Sequence, residues 1–330
     1  MLSISAAWLL ALTFYLAPDW GTIEVAAFIL SGVLFFRAGT FIHEIVHMRR
    51  DEMKWFKRAW NLFQGIPLLM PWILYRNHVD HHSRASYGTP GDGEYLPLAA
   101  SPAREIVRYL LQPLLIPLLT VVRFGVIGPL SHLHPKFRGW VLARATSGVM
   151  NPFYVQRFPS RERKHLAIIE WLCFAWIMFI MAMLVLGHIA LSCLLMAWML
   201  ISWTLALNWI RNLVAHGYGN DGRPLSHAQQ VADSINITGQ HWLTVWLFPV
   251  GLRYHALHHL LPGLPYHNLP AAHRRLCEGL PEDSIYHRVN RRSFTAALAE
   301  IWRRARRTPP EEAEIKRWHQ VNTAAPPRAG

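Results

Sequence analysis

Two long stretches of the chain are mostly apolar and contain no lysine or arginine. They cover residues 1–36 and 165–210, and all 33 lysines and arginines lie outside them. Each stretch has room for two membrane-spanning helices of about 20 residues. A turn signal at residues 18–21 divides the first stretch, and Gly187 divides the second. The pattern therefore predicts an all-α integral membrane protein with two transmembrane helical hairpins, four spans in total.

Other apolar segments are too short, or too interrupted by proline, to cross a bilayer. Three of them cover residues 61–75, 109–122 and 241–252. We interpret these as interfacial helices. Residues 294–307 combine helical apolar spacing with several arginines, which predicts a helix on the membrane surface. Residues 1–307 then form a single domain, and the proline-containing tail at residues 308–330 is expected to be disordered.

The overall composition agrees with a membrane protein. Of the 330 residues 52% are hydrophobic, yet the formal net charge is +13. These properties conflict in a soluble globule, so a soluble helical bundle is the weaker alternative. Because lysine and arginine crowd the cytoplasmic side of membrane proteins, both termini and the basic loops should be cytoplasmic, with a bacterial inner membrane as the expected location. We expect no nucleic-acid partner.

Nine of the 19 histidines follow a spaced pattern. They belong to the strings H-E-I-V-H, H-V-D-H-H, N-L-V-A-H and H-A-L-H-H, and they are His43, His47, His78, His81, His82, His216, His255, His258 and His259. Spacings of i, i+3 and i+4 place the imidazoles of one string on one helix face. A single pair of this kind is more often a packing feature, but two H-x-x-H-H strings are hard to obtain by chance.

This pattern favours a metal centre with two ions. Nine imidazoles exceed the needs of one zinc ion, which usually takes four ligands. The three cysteines lack C-x-x-C spacing and indicate neither a disulfide framework nor a thiolate site. Imidazole without thiolate suits iron, copper, nickel or zinc, and the number of ligands favours two irons.

The strings resemble the three histidine boxes of the membrane fatty acid desaturase and hydroxylase superfamily. Residues 212–216 are similar to that family's additional ligand segment, and the resemblance extends over residues 37–276. It implies a cytoplasmic di-iron cap in which all nine histidines bind iron and Asn212 completes the site through water. Asn208, one helical turn earlier, is the alternative to Asn212. Dioxygen is the implied co-substrate.

Carboxylates near the histidines are candidates for accepting the free imidazole N–H groups and so fixing the rings. Glu44 and Asp80 lie inside the first and second strings, and we assign them to this role. Asp92 and Glu94 follow in a glycine-rich loop. For these two residues a solvated loop charge is an equally good interpretation.

The resemblance implies oxidation of an unactivated alkyl chain in a lipid. Desaturation of a fatty acyl chain is the first expectation, while hydroxylation, alkene-forming decarboxylation and carotenoid oxidation begin with the same hydrogen abstraction. The string H-E-I-V-H also matches the zinc protease motif H-E-x-x-H. A membrane zinc metalloprotease is therefore the alternative from another reaction class, although it would leave most of the nine histidines unexplained.

Electrons for such an oxidation are expected from a separate carrier, because the chain contains no cysteine cluster and no fused carrier domain is expected. A ferredoxin, a flavodoxin or a cytochrome with its reductase would serve. The excess of arginine suits an acidic carrier and equally suits anionic lipid head groups.

Overall fold

The computed structural model describes residues 1–17, 19–148, 150–309 and 314–324. In this part the chain is mostly helical with almost no sheet, as the sequence predicts. The α-helices are α1 (Leu2–Tyr15), α2 (Thr22–Gly39), α3 (Phe41–His47), α4 (Lys54–Trp60), α5 (Asn77–His81), α6 (Ala103–Val122), α7 (Gly128–Ser131), α8 (Pro135–Arg144), α9 (Ser160–Val185), α10 (Leu191–Asn212), α11 (His227–Asp233), α12 (His241–Leu247), α13 (His255–Leu260), α14 (Leu269–Gly279), α15 (Ile285–Arg288), α16 (Phe294–Arg307) and α17 (Glu314–Ala324).

Shorter elements connect these helices. The 3₁₀ turns are Trp72–Tyr75, Leu98–Ala100 and Tyr266–Asn268, and the π turns are Asn61–Gly65 and Arg123–Ile127. Two short strands, β1 (Asn236–Ile237) and β2 (Asn290–Arg291), pair in parallel with Asn236 opposite Asn290.

Four helical segments are long and apolar enough to cross a membrane. They are Thr22–His47, Ala103–Ser131, Ser160–Val185 and Leu191–Asn212. The predicted number of four agrees. Three of these segments correspond to predicted spans, whereas α1, with 14 residues, is shorter than a typical span. Ala103–Ser131, a segment of 29 residues, contains residues 109–122 and is longer than the interfacial helix predicted there. Pro113 and Pro117 lie inside α6, since apolar membrane helices tolerate proline.

The long helices pack closely where small residues allow it. Ser31 on α2 donates a hydrogen bond to the carbonyl of Ala7 on α1 (2.9 Å). On the other side, α2 meets α10 at Gly32, where an added Cβ would lie 2.2 Å from Cδ1 of Trp203. Outward-facing leucines of α6, such as Leu118 and Leu119, stay more than half exposed. An apolar outer surface of this kind is that of a multi-pass membrane protein.

A buried ion-pair network joins three of the helical segments. Glu170 on α9 accepts hydrogen bonds from Arg123, in the π turn after α6, and from Arg138 on α8. Arg123 also donates to the carbonyl of Ala145 and to Thr146. Because a buried charge is costly unless it is paired, this network fixes how α6, α8 and α9 meet.

The two C-terminal helices differ from the sequence prediction. On α16 the apolar residues Ala297, Ile301 and Ala305 are buried against the protein, and its arginines are exposed. The main apolar face of the helix is therefore covered by the protein, while Trp302 stays exposed. Within the tail that was expected to be disordered, α17 forms and buries Trp318 against Tyr95, with ring centroids 6.0 Å apart. Residues 310–313 and 325–330 of the tail lie outside the described residues.

Candidate metal centre

The nine histidines predicted from the sequence converge at one place. His43 and His47 lie on α3, which continues the apolar helix α2 after Thr40. The string H-V-D-H-H lies on α5 and at the C-terminal end of that helix. His216 follows α10, and the string H-A-L-H-H begins α13. Seven of the nine side chains are buried, and His47 and His82 are partly buried.

The chain around β1 holds the last two histidine segments together. His216 forms a backbone bridge with Ser234, and Asn236 forms one with Tyr254, just before α13. Oδ1 of Asn236 accepts a hydrogen bond from the backbone N–H of Leu257 at 3.2 Å. The segment 234–236 thereby places His216 beside the third string, although 38 residues separate His216 from Tyr254.

The histidines form two groups, each with nitrogens close enough to share one ion. In the first group, ligand nitrogens of His43, His47, His78 and His258 all lie within 4.8 Å of one another. His82 joins this group, because its Nε2 lies 3.1 Å from Nε2 of His78 and 3.0 Å from Nε2 of His258.

The second group contains His81, His216, His255 and His259, whose ligand nitrogens also lie within 4.8 Å of one another. Nε2 of His216 is 2.9 Å from Nε2 of His255 and 3.2 Å from Nε2 of His81. Nε2 of His259 is 3.2 Å from Nε2 of His255. The two groups adjoin at His82 and His259, whose ring centroids are 4.3 Å apart.

Carboxylates determine which ring nitrogen carries the proton. Nδ1 of His81 lies 2.8 Å from a carboxylate oxygen of Asp92, and Nδ1 of His78 lies 3.0 Å from one of Glu94. Because an ionised carboxylate only accepts hydrogen bonds, Nδ1 is the donor in both histidines. Their Nε2 atoms therefore present lone pairs, and these point at other imidazole nitrogens.

Convergent lone pairs in a buried site fit a bound cation. Nδ1 and Nε2 of His43 and Nε2 of His47 are buried and have no hydrogen-bond partner among the described residues. Buried nitrogens without a partner cost folding free energy, whereas one metal ion could bind several of these nitrogens at once. A donor set of imidazoles without thiolate suits iron, copper, nickel or zinc.

The protonation states also suit metal binding, which requires neutral imidazole. Burial, followed by repulsion from neighbouring imidazoles, holds the pKa well below its usual value in His78, His82, His216, His255, His258 and His259. Burial also acts on His81, but there the nearby carboxylates, above all Asp92, outweigh it and raise the pKa. Burial raises the pKa of Glu94 to about 7.

A third residue that holds a histidine in place, Tyr87, was not predicted from the sequence. The hydroxyl of Tyr87 lies 2.7 Å from Nδ1 of His216 and donates to Oδ2 of Asp233 at 2.9 Å. Ser234 Oγ lies 3.3 Å from the same Nδ1. Tyr87 begins the glycine-rich loop that contains Asp92 and Glu94. Asp233 belongs to no histidine string and is linked to His216 through Tyr87 only in the folded structure.

The two carboxylates assigned inside the strings contribute less than predicted. Asp80 accepts a hydrogen bond from Tyr154 at 3.0 Å and contacts no histidine among the described residues. On a helix, Asp80 points away from the face that carries the three histidines of its string. Glu44 has one oxygen 3.9 Å from Nδ1 of His43, too far for a hydrogen bond, and the other accepts from the N–H of Tyr266 at 3.3 Å.

Asn212 lies beside the centre together with a buried arginine. Both Asn212 and Arg211 line a cavity of about 10 Å³ that His43 and His216 also line, space for about one water molecule. Oδ1 of Asn212 accepts a hydrogen bond from Arg211. Asn208 also accepts from Arg211, at 2.9 Å, and does not line the cavity. The geometry thus favours Asn212 over Asn208 as the residue that contacts the centre.

Comparison with known proteins identifies a family. The family model described as fatty acid desaturase matches residues 20–291. A ceramide hydroxylase of Caulobacter vibrioides (strain NA1000 / CB15N) is 36% identical over 307 residues, which cover 89% of this chain and 88% of that protein. No solved structure matches the chain.

Proposed function

Because this chain belongs to the fatty acid desaturase family, we propose that it uses two iron ions and dioxygen to hydroxylate a ceramide-type membrane lipid. The observation that carries the proposal is the pair of adjoining, buried histidine groups. Oxidation of lipids is the activity that the family and its ceramide hydroxylase member support. The use of iron, the hydroxylation reaction and the ceramide-type substrate are proposals that go beyond this.

Each group supplies ligands for one iron. His43, His47, His78, His82 and His258 would hold the first ion, and His81, His216, His255 and His259 would hold the second. Asn212 faces the same cavity and would act through a water molecule. When bound, the irons would supply the oxidising power needed to remove hydrogen from an unactivated alkyl carbon.

The protein's own contribution is to fix the imidazoles and their protons. Asp92, Glu94 and Tyr87 each accept the Nδ1 proton of one histidine, which leaves the Nε2 lone pair for the metal. Since Asp92 and Tyr87 are buried and Glu94 is mostly buried, water competes little for the Nδ1–H groups. The imidazoles are held in the orientation that two ions require.

Hydroxylation is placed ahead of desaturation because of the relative that covers most of this chain. That protein is described as a ceramide hydroxylase, and an amide-linked lipid with two alkyl chains is a suitable substrate for the same oxidant. The sequence alone favoured fatty acyl desaturation, which is the second candidate. Alkene-forming decarboxylation and carotenoid oxidation have no comparable support.

The protease alternative has little support. His43 and His47 lie among seven other histidines, and Glu44 hydrogen-bonds to the Tyr266 backbone. A zinc protease would need Glu44 as its base. We therefore expect that Glu44→Gln retains measurable lipid oxidation, measured as product formed per iron. Proteolytic activity of the wild-type protein that Glu44→Gln abolishes with unchanged metal content would instead favour the protease.

The function can be tested by product analysis. The chain is expressed in a host with a characterised lipid profile, ceramide is supplied, and the lipids are analysed by mass spectrometry. Hydroxylation adds one oxygen atom, whereas desaturation removes two hydrogen atoms. His258→Ala should abolish the product and lower the iron content, and the exposed His267 provides a matched control, His267→Ala, that should retain both. Iron-loaded, reduced wild-type protein that forms no oxidised lipid would refute the proposal.

In the cell we propose a multi-pass protein of a bacterial inner membrane with the histidine groups on the cytoplasmic side. Its electrons would come from a separate ferredoxin, flavodoxin or cytochrome. Cysteine-labelling probes in the basic loop at residues 135–164 should then report the cytoplasmic face. Labelling from outside would contradict this orientation.

A further inference from the structure

One face of α16 is strongly basic. Arg303, Arg304 and Arg307 lie with Glu300 at spacings of i, i+3, i+4 and i+7, which is one side of a helix. All four side chains are exposed. We call Arg303, Arg304 and Arg307 the arginine rim. Within the described ranges, none of the three forms an ion pair with a carboxylate, so the positive charge faces solvent.

A cavity lies directly beside the arginine rim and reaches the metal centre. Its volume is about 190 Å³, and its walls include Arg304, Glu300, Arg291, Asp233 and His216. His216 belongs to the second histidine group. Arg304 of the rim therefore lies at the edge of an opening that ends at a proposed iron ligand.

A continuous chain of hydrogen bonds follows the same direction. Arg304 donates to the carbonyl of Gly217 at 3.1 Å, and the N–H of Gly217 donates to the carbonyl of Asp233 at 2.6 Å. The carboxylate of Asp233 accepts from Tyr87, whose hydroxyl contacts His216 at 2.7 Å. Gly217 is required at this point, because an added Cβ would lie 2.7 Å from Oδ1 of Asp233.

We propose that an acidic one-electron carrier protein docks on the arginine rim and passes electrons along this route to the metal ion that the second histidine group would hold. The inference rests on the proposed function. Hydroxylation consumes one C–H bond, one dioxygen, two electrons and two protons, and yields one C–OH group and one water. Two reduced carriers, each losing one electron, balance one turnover.

The structure favours a protein partner over a membrane surface for the rim. A helix that lies on a bilayer inserts an apolar face, but Ala297, Ile301 and Ala305 are already buried within the protein. The exposed side of α16 carries one large apolar side chain, Trp302, among its arginines. A patch dominated by charge in this way is suited to electrostatic docking, in which complementary charge speeds association and sets specificity.

The test compares two sources of electrons. The double variant Arg303→Glu, Arg307→Glu is assayed for lipid oxidation with reduced [2Fe–2S] ferredoxin and with dithionite-reduced methyl viologen, a small reductant that needs no docking site. With ferredoxin, we expect roughly a tenfold increase in KM for the carrier and a weaker dependence on salt. With viologen, turnover and iron content should equal those of wild type. Arg163→Glu, Lys164→Glu on α9 makes the same charge change on exposed residues elsewhere and should leave both activities unchanged.

The other outcomes distinguish failure of the docking proposal from failure of the proposed function. An unchanged KM for ferredoxin in the rim variant, or a wild-type protein that oxidises lipid with viologen but not with ferredoxin, would overturn the docking proposal. So would a defect present only in nanodiscs with anionic lipid and absent in neutral ones, which would assign the rim to the membrane. Wild-type protein that oxidises no lipid with either reductant would instead refute the proposed function.

Discussion

Replacing Asp92 by asparagine is the sharpest test of how the histidines are held. Asp92 is completely buried, and its two oxygens accept hydrogen bonds from three donor groups. Oδ1 accepts from the N–H of Glu94 at 2.8 Å and Oδ2 from the N–H of Gly88 at 2.9 Å. Both lie within 3.0 Å of Nδ1 of His81. Asparagine keeps the shape of this side chain but removes its charge and one acceptor.

The expected loss follows from these contacts. The new amide NH₂ must face a backbone N–H, and a buried donor without an acceptor costs about 1–3 kcal/mol of folding free energy. His81 also exchanges a charged acceptor for a neutral one. Loss of such a partner typically lowers metal affinity by about 10–100-fold. We therefore expect Asp92→Asn to fold less stably and to bind iron more weakly at the second group.

Competition for iron with a chelator measures the affinity, and thermal unfolding of the metal-free protein measures stability. Asp80→Asn is the matched control, because Asp80 is exposed and contacts Tyr154 rather than a histidine. Its iron affinity should stay within about twofold of wild type, as is usual for surface substitutions. Equal loss of iron in the two variants would show that adjacency in sequence, and not the hydrogen bond, determines the effect.

Three further changes test other parts of the structure. Tyr87→Phe removes the hydroxyl that contacts His216 and should lower iron affinity about tenfold, measured by the same competition; wild-type affinity would contradict this. Glu170→Gln leaves buried arginines without their carboxylate and should cost about 3–5 kcal/mol, seen as a lower Tm in detergent. Gly32→Val overpacks the contact with α10 at a cost of about 1–3 kcal/mol, whereas Gly139→Val, with nothing within 4 Å of its added Cβ, should unfold like wild type.

The grouping of the histidines could be predicted because helical spacing is a local property. His78, His81 and His82 share a face wherever α5 is placed, so the string itself contains the information. The resemblance to a family then brought the strings to one site, and the structure places them there.

Helical spacing could not predict which carboxylates hydrogen-bond to the histidines. Asp80 was preferred because it is adjacent to the histidines, yet the same helical geometry points it away from them. Asp92 was given even weight with a solvated loop charge, although it is fully buried. Asp233 reaches His216 through a backbone pairing between distant segments, and no local pattern contains that contact.

The membrane segments could also be predicted only in part. Charge-free runs correctly predicted α9 and α10, because long apolar helices depend on composition. Residues 109–122 belong to a longer helix than the sequence predicted, because Pro113 and Pro117 were taken as breaks where the structure has one helix. The apolar spacing of α16 predicted a helix correctly, but it could not distinguish a membrane from the protein as the surface that covers Ile301.

A single loop supports both histidine groups, and this makes their metal occupancy interdependent. Glu94 holds His78 of the first group, and two residues earlier Asp92 holds His81 of the second. An ion that orders one histidine also orders the loop, so the second ion binds a protein whose conformational entropy has already been reduced. By thermodynamic linkage the benefit is reciprocal. Iron should therefore load in pairs, with chains that carry a single ion scarce at half saturation.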